Sequence, residues 1–245
     1  MNRIVSLVPS ITELLCELGL ADQLVGRTGF CVHPKEVVRK IPKVGGTKSV
    51  NLEKVRALRP THVIVNVDEN RKETADALAE FVPKVIVTHP LGPLDNVALF
   101  RQIGDTFERK REAESLCARF DSAYRNVLAK SFRKQSILYL IWKDPWMTVS
   151  RDTYVSRTLA LFGLQTLPDS AAARYPKISL AESWLQNVDL VLLSSEPYRF
   201  QEKHRDQIRN TLNKPARLID GEMTSWYGSR AIQGLRYLVD FSSSL

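Results

Sequence analysis

Side chains suited to binding a flat, apolar ligand concentrate in a few loops of this 245-residue chain. Three of its four tryptophans lie in segments that follow predicted β-strands, where core packing alone would not place them. Large rings at the mouth of a cleft form the usual apolar lining of a small-molecule site. The predicted ligand-binding residues are Phe30, Cys31, His33, Trp142, Trp146, Trp226 and Tyr227.

Cys31 and His33 raise the question of a metal contact in the first of these loops. An imidazole nitrogen can occupy the open axial position of a chelated cobalt or iron, so His33 is a candidate axial ligand. A histidine beside a proline, here Pro34, also commonly stabilises its own loop through a hydrogen bond, and this alternative stays open. Nothing in the chain has the multi-ligand spacing of a free zinc site.

The elements that must position these loops occur twice, at an offset of 128 residues (51 to 179). Residues 51–53 and 179–182 each begin a short predicted helix, and each helix leads into an apolar strand, 63–65 or 191–193. Strands that alternate with helices in this way indicate parallel sheets, and ligands bind such sheets beyond the carboxyl ends of the strands.

A charged segment with apolar residues at helical spacing separates the two copies. It predicts a helix of about 25 residues, which would be about 37 Å long. The expected fold class is therefore α/β: two lobes with mainly parallel sheets, residues 1–104 and 133–245, joined by one long backbone helix at 105–132. A ligand would bind in the cleft between the lobes.

The overall composition excludes some classes of protein. The formal charge of +8 comes from scattered basic residues, which argues against a nucleic-acid interface. The three cysteines form no CxxC pair and fit a reducing compartment. No segment is apolar over the roughly 18 residues of a membrane span, and no secretory signal precedes the first strand. We therefore predict a cytoplasmic protein if Met1 is the native start, or a periplasmic or surface-tethered one if a leader has been removed.

Several motifs recur in an order and spacing typical of one family. They are Arg3-Ile4-Val5-Ser6-Leu7-Val8-Pro9-Ser10 with Thr12-Glu13, Asn51-Leu52-Glu53 with Leu58-Arg59-Pro60, Thr148-Val149-Ser150 with Tyr154, and Ser225-Trp226. Across nearly its whole length the chain resembles the helical-backbone substrate-binding proteins of ABC importers for cobalamin, iron-siderophores and haem, and most closely the cobalamin-binding branch. The resemblance implies two α/β lobes bridged by one long helix, with little closure on binding.

The resemblance also implies site residues. Phe30 occupies a place where cobalamin binders carry an aromatic residue, and Trp226 matches a loop tryptophan that faces the ligand. Trp142 and Trp146 lie in a loop equivalent to another aromatic-bearing loop. Such rings would pack against the face of a corrin-like ligand.

An importer permease is the partner that the resemblance implies, docked through a glutamate on each lobe. The candidate docking carboxylates are Asp68, Glu69 and Glu196, and the 128-residue offset carries Asp68 onto Glu196. The chain departs from the family pattern where the first docking glutamate is expected, because Lys72 stands there with Glu73 beside it.

We expect a binding protein rather than an enzyme, with no intrinsic cofactor. Its ligand would be cobalamin or another corrinoid, before haem or an iron-siderophore. Siderophore binding would favour arginines such as Arg27 or Arg230 in the site. The alternatives are a cytoplasmic chelatase-like enzyme that uses His33 and His89, or a ligand sensor for a metal-tetrapyrrole. No phosphate-binding loop, GxSxG motif or close acid/base pair supports catalysis.

Overall fold

A computed structural model describes residues 2–169 and 172–245, which form two compact units of alternating strands and helices. Unit 1 contains the chain up to Pro90, Asp95–Ala118 and Tyr227–Arg230. Unit 2 contains Leu91–Leu94, Arg119–Trp226 and Ala231–Leu245. The predicted α/β fold class is confirmed, whereas the domain boundaries proposed from the sequence stay predictions.

Unit 1 is built on a four-stranded parallel sheet. Its strands are β1 (Ile4–Ser6), β2 (Leu24–Arg27), β3 (His62–Asn66) and β4 (Lys84–Thr88), in the order β2-β1-β3-β4. The helices are α1 (Pro9–Glu17), α2 (Lys35–Val38), α3 (Leu52–Ala57), α4 (Lys72–Ala79) and α5 (Asp95–Thr106), with a short 3-10 helix at Ala21–Gln23. Apolar residues of β1 and β3 are buried, as expected for a parallel sheet covered on both faces.

The sheet of unit 2 has the same strand arrangement. Its strands are β5 (Gln135–Leu140), β6 (Leu164–Thr166), β7 (Leu190–Ser194) and β8 (Ala216–Ile219), in the order β6-β5-β7-β8 and again all parallel. The helices that follow α6 (Lys110–Leu128) are α7 (Tyr154–Ala160), α8 (Glu202–Leu212), α9 (Gly221–Ser225) and α10 (Arg230–Ser243). The duplicated strands β3 and β7 therefore occupy the same place in their sheets.

The two copies of the repeat differ in the helix that precedes the strand. Asn51 caps α3, and its side chain accepts a 2.9 Å hydrogen bond from the backbone N–H of Lys54. In the second copy the Glu182 carboxylate accepts hydrogen bonds from the backbone N–H of Ser179 and the indole N–H of Trp184. These bonds hold a turn, and a 3-10 helix at Ser183–Asn187 replaces the predicted helix start.

The long connecting helix is shorter than predicted. It is α6, Lys110–Leu128, and its 19 residues span about 28 Å. Glu108 adopts a left-handed conformation (φ 57°) that separates α6 from α5. The two helices meet closely, because a Cβ on Gly104 would lie 2.5 Å from that of Ala113. Leu128, expected on the apolar face, is 62% exposed at the end of the helix.

Among the described residues, no helix is both long enough and apolar enough to cross a membrane.

Candidate functional site

The carboxyl ends of the strands define one edge of each sheet, because all the strands in a sheet run parallel. In the sheet of unit 1, called sheet 1, these ends are Ser6, Arg27, Asn66 and Thr88. In the sheet of unit 2, called sheet 2, they are Leu140, Thr166, Ser194 and Ile219. Each residue predicted to bind the ligand lies in a segment that follows one of these ends. The edge is the position at which open α/β sheets bind ligands.

Phe30 presents the largest exposed apolar side chain at the edge of sheet 1. It is 63% exposed. Its loop is fixed by a 2.7 Å hydrogen bond from the backbone N–H of Gly29 to the carbonyl of Gly45, a residue with a left-handed φ of 120°. Val32 and Val67 are also exposed at this edge, which the sequence reasoning did not identify. An exposed aromatic ring on a fixed loop can stack on a flat ligand.

Cys31 lies beneath the same loop and is fully buried. Its Sγ is 3.0 Å from Thr12 Oγ1 and 3.2 Å from Thr28 Oγ1. Burial raises the pKa of the thiol, with hydrogen bonds from Thr12 and Thr28 acting in the opposite direction. Cys31 has no exposed surface to offer a ligand, so its place in the site is structural. His33 is half-buried, and its axial role stays a prediction.

Two asparagines shape the loop after β3. The side chain of Asn70 accepts a 2.8 Å hydrogen bond from the backbone N–H of Asn66, and it donates to the carbonyl of Thr47 at 3.0 Å. Asp68, 20% exposed, lies within this loop, with its carboxylate 3.8 Å from His89 Nε2. Lys48 donates a 2.7 Å hydrogen bond to the Asp68 carbonyl.

Glu69 and Tyr227 bind each other. The tyrosine hydroxyl donates a 2.8 Å hydrogen bond to Glu69 Oε1, and Tyr227 is only 6% exposed. Burial, followed by the charge of Glu69, raises the pKa of Tyr227 well above its usual value. The two residues were predicted for different purposes, ligand contact and partner docking, but they form one contact within unit 1.

Glu196 and Trp226 form a similar contact within unit 2. The indole Nε1 of Trp226 donates a 2.6 Å hydrogen bond to Glu196 Oε1, and the hydroxyl of Ser225 donates to the same oxygen at 3.0 Å. Burial, together with the charges of the nearby Glu222 and Asp220, raises the pKa of Glu196 to about 7 against these two hydrogen bonds. Trp226 is 8% exposed.

Trp142 and Trp146 lie in an aromatic cluster that the sequence revealed only in part. Trp146 stacks on Phe200 with ring centroids 6.1 Å apart and an interplanar angle of 3°. Trp142 packs edge-on against Tyr198 at 5.6 Å and is 39% exposed. His204 completes the cluster, 5.5 Å from the Tyr198 ring. Trp142 therefore contributes exposed surface to this cluster, whereas Trp146 packs partly against the core of unit 2.

A pocket of about 310 Å³ opens at the edge of sheet 2. Its lining is apolar on the strands and polar at the rim: Leu193, Ser195, Arg199, Phe200, Leu218, Ile219 and Asp220. This volume lies at the small end of the range for drug-sized ligands, about 300–1,000 Å³. The pocket could hold one substituent of a larger molecule.

In unit 1 the structure places Phe30, Cys31, His33, Asp68, Glu69 and Tyr227, and in unit 2 it places Trp142, Trp146, Glu196 and Trp226. Within the ranges 2–169 and 172–245, no three or more His, Cys, Asp or Glu side chains gather as a metal-binding group.

Comparison with known proteins agrees with this geometry. A family model described as periplasmic binding protein matches residues 4–212. A vitamin B12-binding protein of Vibrio vulnificus (strain CMCP6) is 25% identical over 201 residues, which cover 79% of this chain and 71% of the relative.

Solved structures share the fold over almost the whole chain. The periplasmic vitamin B12 binding protein of Vibrio cholerae superimposes with a TM-score of 0.83 at 15% identity, covering 99% of this chain and 97% of its own. The periplasmic heme-binding protein of Roseiflexus sp. RS-1 gives a TM-score of 0.81 at 20% identity, covering 99% and 98%.

These findings correct the predicted location. The prediction of a cytoplasmic location is wrong, because the family whose model matches is described as periplasmic; this finding points to the alternative given with that prediction, a periplasmic or surface location. The cysteines gave misleading support. Cys31 and Cys117 are buried and Cys16 is half-buried, so these thiols are shielded without a reducing compartment.

Proposed function

Because the chain belongs to the periplasmic binding protein family, whose members are substrate-binding proteins of ABC importers rather than enzymes, we propose that it binds a flat metal chelate for delivery to an importer. Cobalamin or another corrinoid is the first candidate ligand and haem is the second. The chelatase-like alternative does not agree with a family of binding proteins.

The exposed ring of Phe30 carries the proposal. A phenylalanine that is 63% exposed leaves most of its apolar area in water, and covering that area with a ligand would gain about 1.5–3 kcal/mol. The backbone hydrogen bonds of its loop hold the loop in place before the ligand arrives, which lowers the entropic cost of binding. Trp142, Trp146 and Trp226 remain the proposed aromatic contacts from unit 2.

The order of the candidate ligands rests on the relatives. The Vibrio vulnificus relative is a vitamin B12-binding protein, and the similar folds include one that binds vitamin B12 and one that binds heme. A corrinoid and a haem share a flat apolar face with a metal at its centre. For either ligand, His33 is the proposed axial contact.

Two buried arginines argue against an anionic siderophore. Arg27 donates to the carbonyl of Val38 at 2.6 Å and to that of Thr28 at 3.0 Å. Arg230 forms a two-bond ion pair with Glu13. Both guanidinium groups already bind other groups of the protein, so neither is available to hold an anionic chelate.

An ABC importer permease is the proposed partner. Glu69 and Glu196 each accept a hydrogen bond from an aromatic side chain through one carboxylate oxygen, Oε1. Asp68, whose side chain is 20% exposed in the loop after β3, is the proposed docking carboxylate of unit 1.

The direct test is a titration of the purified protein with cyanocobalamin and with haem, followed by tryptophan fluorescence and confirmed by equilibrium dialysis. Phe30→Ala should weaken binding about 10- to 100-fold, in line with the apolar area that is lost. Leu128→Ala is the matched control, because Leu128 is exposed to the same extent at the end of α6. The proposal is wrong if the wild type binds neither ligand, and the site is wrong if both variants bind equally well.

A further inference from the structure

The loop after β7 and the segment after α9 are joined by one carboxylate oxygen. Oε1 of Glu196 accepts both the Trp226 indole N–H, at 2.6 Å, and the Ser225 hydroxyl, at 3.0 Å. The hydrogen bond from the indole fixes the direction in which the edge of the ring points. Because only 8% of Trp226 is exposed, a rotation of the ring would change which of its atoms a ligand can reach.

The packing around this carboxylate leaves little freedom. A Cβ on Gly221, the first residue of α9, would lie 2.5 Å from Glu196 Cγ and 3.0 Å from its backbone nitrogen. On the other side, the hydroxyl of Ser194 donates a 2.6 Å hydrogen bond to the Glu196 carbonyl. The loop and α9 are therefore packed directly against each other, and the position of Glu196 is set by the backbone.

The electrostatic surroundings of Glu196 are acidic. Glu222 of α9 and Asp220, its N-cap, both disfavour a negative charge on Glu196. Two tyrosines lie nearby: Tyr139 of β5, whose hydroxyl is 2.6 Å from Thr224 Oγ1, and Tyr237 of α10, whose hydroxyl accepts from the backbone N–H of Asp220. The loop after β7 also carries a cation, Arg199, which lines a pocket together with Asp220. Burial of Glu196 and the negative charges of Glu222 and Asp220 therefore both oppose its ionisation.

We propose that Glu196 is a positioning residue for Trp226, and that its carboxyl Oε1 holds the indole in the orientation that binds the ligand. The inference rests on the function proposed above. The hydrogen bonds from Trp226 and Ser225 favour the ionised form of Glu196, because a carboxylate accepts an N–H or O–H bond more strongly than a protonated carboxyl group does. The indole is therefore held most firmly when Glu196 is ionised, and the affinity for the ligand rises as the pH rises. The raised pKa of Glu196, about 7, places this transition near neutral pH.

The first experiment needs no ligand. The tryptophan emission of the unliganded protein is followed from about pH 5 to about pH 9, since a charge beside the indole changes its emission. The wild type should show a transition near pH 7 that is absent from both Glu196→Gln and Trp226→Phe. Glu182→Gln is the control, because Glu182 contacts the indole of Trp184 instead. A transition that persists in Glu196→Gln overturns the proposal.

The second experiment separates positioning from a merely structural role. Glu196→Ala should weaken binding of cyanocobalamin about tenfold at pH 6, as expected for a lost hydrogen bond of this kind. The same change in a Trp226→Phe protein should have no further effect, because the ring no longer has an N–H to place. Equal losses in both backgrounds overturn the proposal. Glu196→Gln should restore the affinity measured at pH 6 and remove its rise, about tenfold in the wild type, between about pH 5.5 and 8.5.

The two experiments also distinguish a failure of this inference from a failure of the proposed function. If neither cyanocobalamin nor haem binds the wild type, the proposed function fails and the fluorescence titration alone decides whether Glu196 holds Trp226. If Glu196→Ala does not fold, Glu196→Gln and Trp226→Phe still give the pH profile that decides the question.

Discussion

Glu13 and Arg230, 217 residues apart in the chain, form an ion pair with two hydrogen bonds of 2.7 Å each. Their side chains are 14% and 8% exposed, and both residues belong to unit 1. The pair fastens the first residue of α10 to α1, beside the 2.6 Å hydrogen bond from the backbone N–H of Gly228 to Asn96 Oδ1. The segment Tyr227–Arg230, which belongs to unit 1 although the residues before it belong to unit 2, is therefore held in place by buried polar contacts.

Glu13→Gln should lower the free energy of unfolding by about 3 kcal/mol, because a buried guanidinium would lose its carboxylate. Glu114→Gln is the matched control: Glu114 makes a similar two-bond pair with Arg101, but both side chains are more than half exposed. That variant should lower the free energy of unfolding far less, because water screens an exposed ion pair. Urea denaturation measures both, and similar losses would show that burial does not set the strength of the pair.

The stability of the protein should depend on the ionisation of Glu196. Its pKa is raised from 4.5 to about 7, mainly by burial. Between these values the folded protein keeps a proton that the unfolded chain has lost, so the free energy of unfolding falls as the pH rises. The stabilisation is complete below about pH 4.5 and is lost above about pH 7.

Relative to the wild type, Glu196→Gln should therefore gain about 3 kcal/mol of stability between pH 4.5 and pH 8. The comparison cancels the titration of all other groups. Chemical denaturation at a series of pH values gives the difference, and a difference that stays constant with pH would contradict the assignment.

Gly221 should tolerate no side chain. A methyl group there would meet the hydroxyl of Ser194 and lie 2.5 Å from Glu196 Cγ, so Gly221→Ala should cost about 1–3 kcal/mol and weaken ligand binding. At Gly92 the nearest atom, Arg157 Cδ, would be 3.5 Å away, and Gly92→Ala should be nearly neutral. Thermal unfolding and ligand titration of the two variants test the difference, and a neutral Gly221→Ala would contradict the close packing.

The thiols should be unreactive in the folded protein. Cys31 is fully buried, and the pKa of the half-buried Cys16 is raised to about 11, chiefly by burial. A thiol reagent at about pH 8 should therefore label the native protein slowly and label all three cysteines once it is denatured. Leu128→Cys supplies an exposed thiol as a positive control. Rapid labelling of Cys31 in native protein would mean that its loop opens, and a direct ligand contact would again be reasonable.

The repeat at an offset of 128 residues was readable from the sequence because strand patterns are local. The apolar runs of β3 and β7 need only their own residues to indicate buried strands, and both appear where expected. The helix between the copies was predicted to be longer than it is. The break before it depends on the left-handed conformation of Glu108, and neither a glycine nor a proline marks that position in the sequence.

The candidate site, like the fold, could be predicted from the sequence only in part. The types of side chain at the strand ends, and hence the expectation of an aromatic ligand surface, follow from the sequence alone. The partners of those side chains do not. Tyr198, Phe200 and His204 were missed because their cluster with Trp142 and Trp146 joins two loops more than 50 residues apart, although the run Tyr198-Arg199-Phe200 after β7 was a usable signal.

The sequence by itself determined the fold class, the duplication and the loops that carry large rings, because each is recorded in short-range patterns of apolar and turn residues. Only the tertiary structure decided that Glu69 binds Tyr227 and Glu196 binds Trp226, since these partners are 158 and 30 residues apart. It likewise decided that Cys31 is buried while Phe30, its neighbour, is exposed. Burial and pairing are set by which segments pack together, and no local pattern encodes that choice.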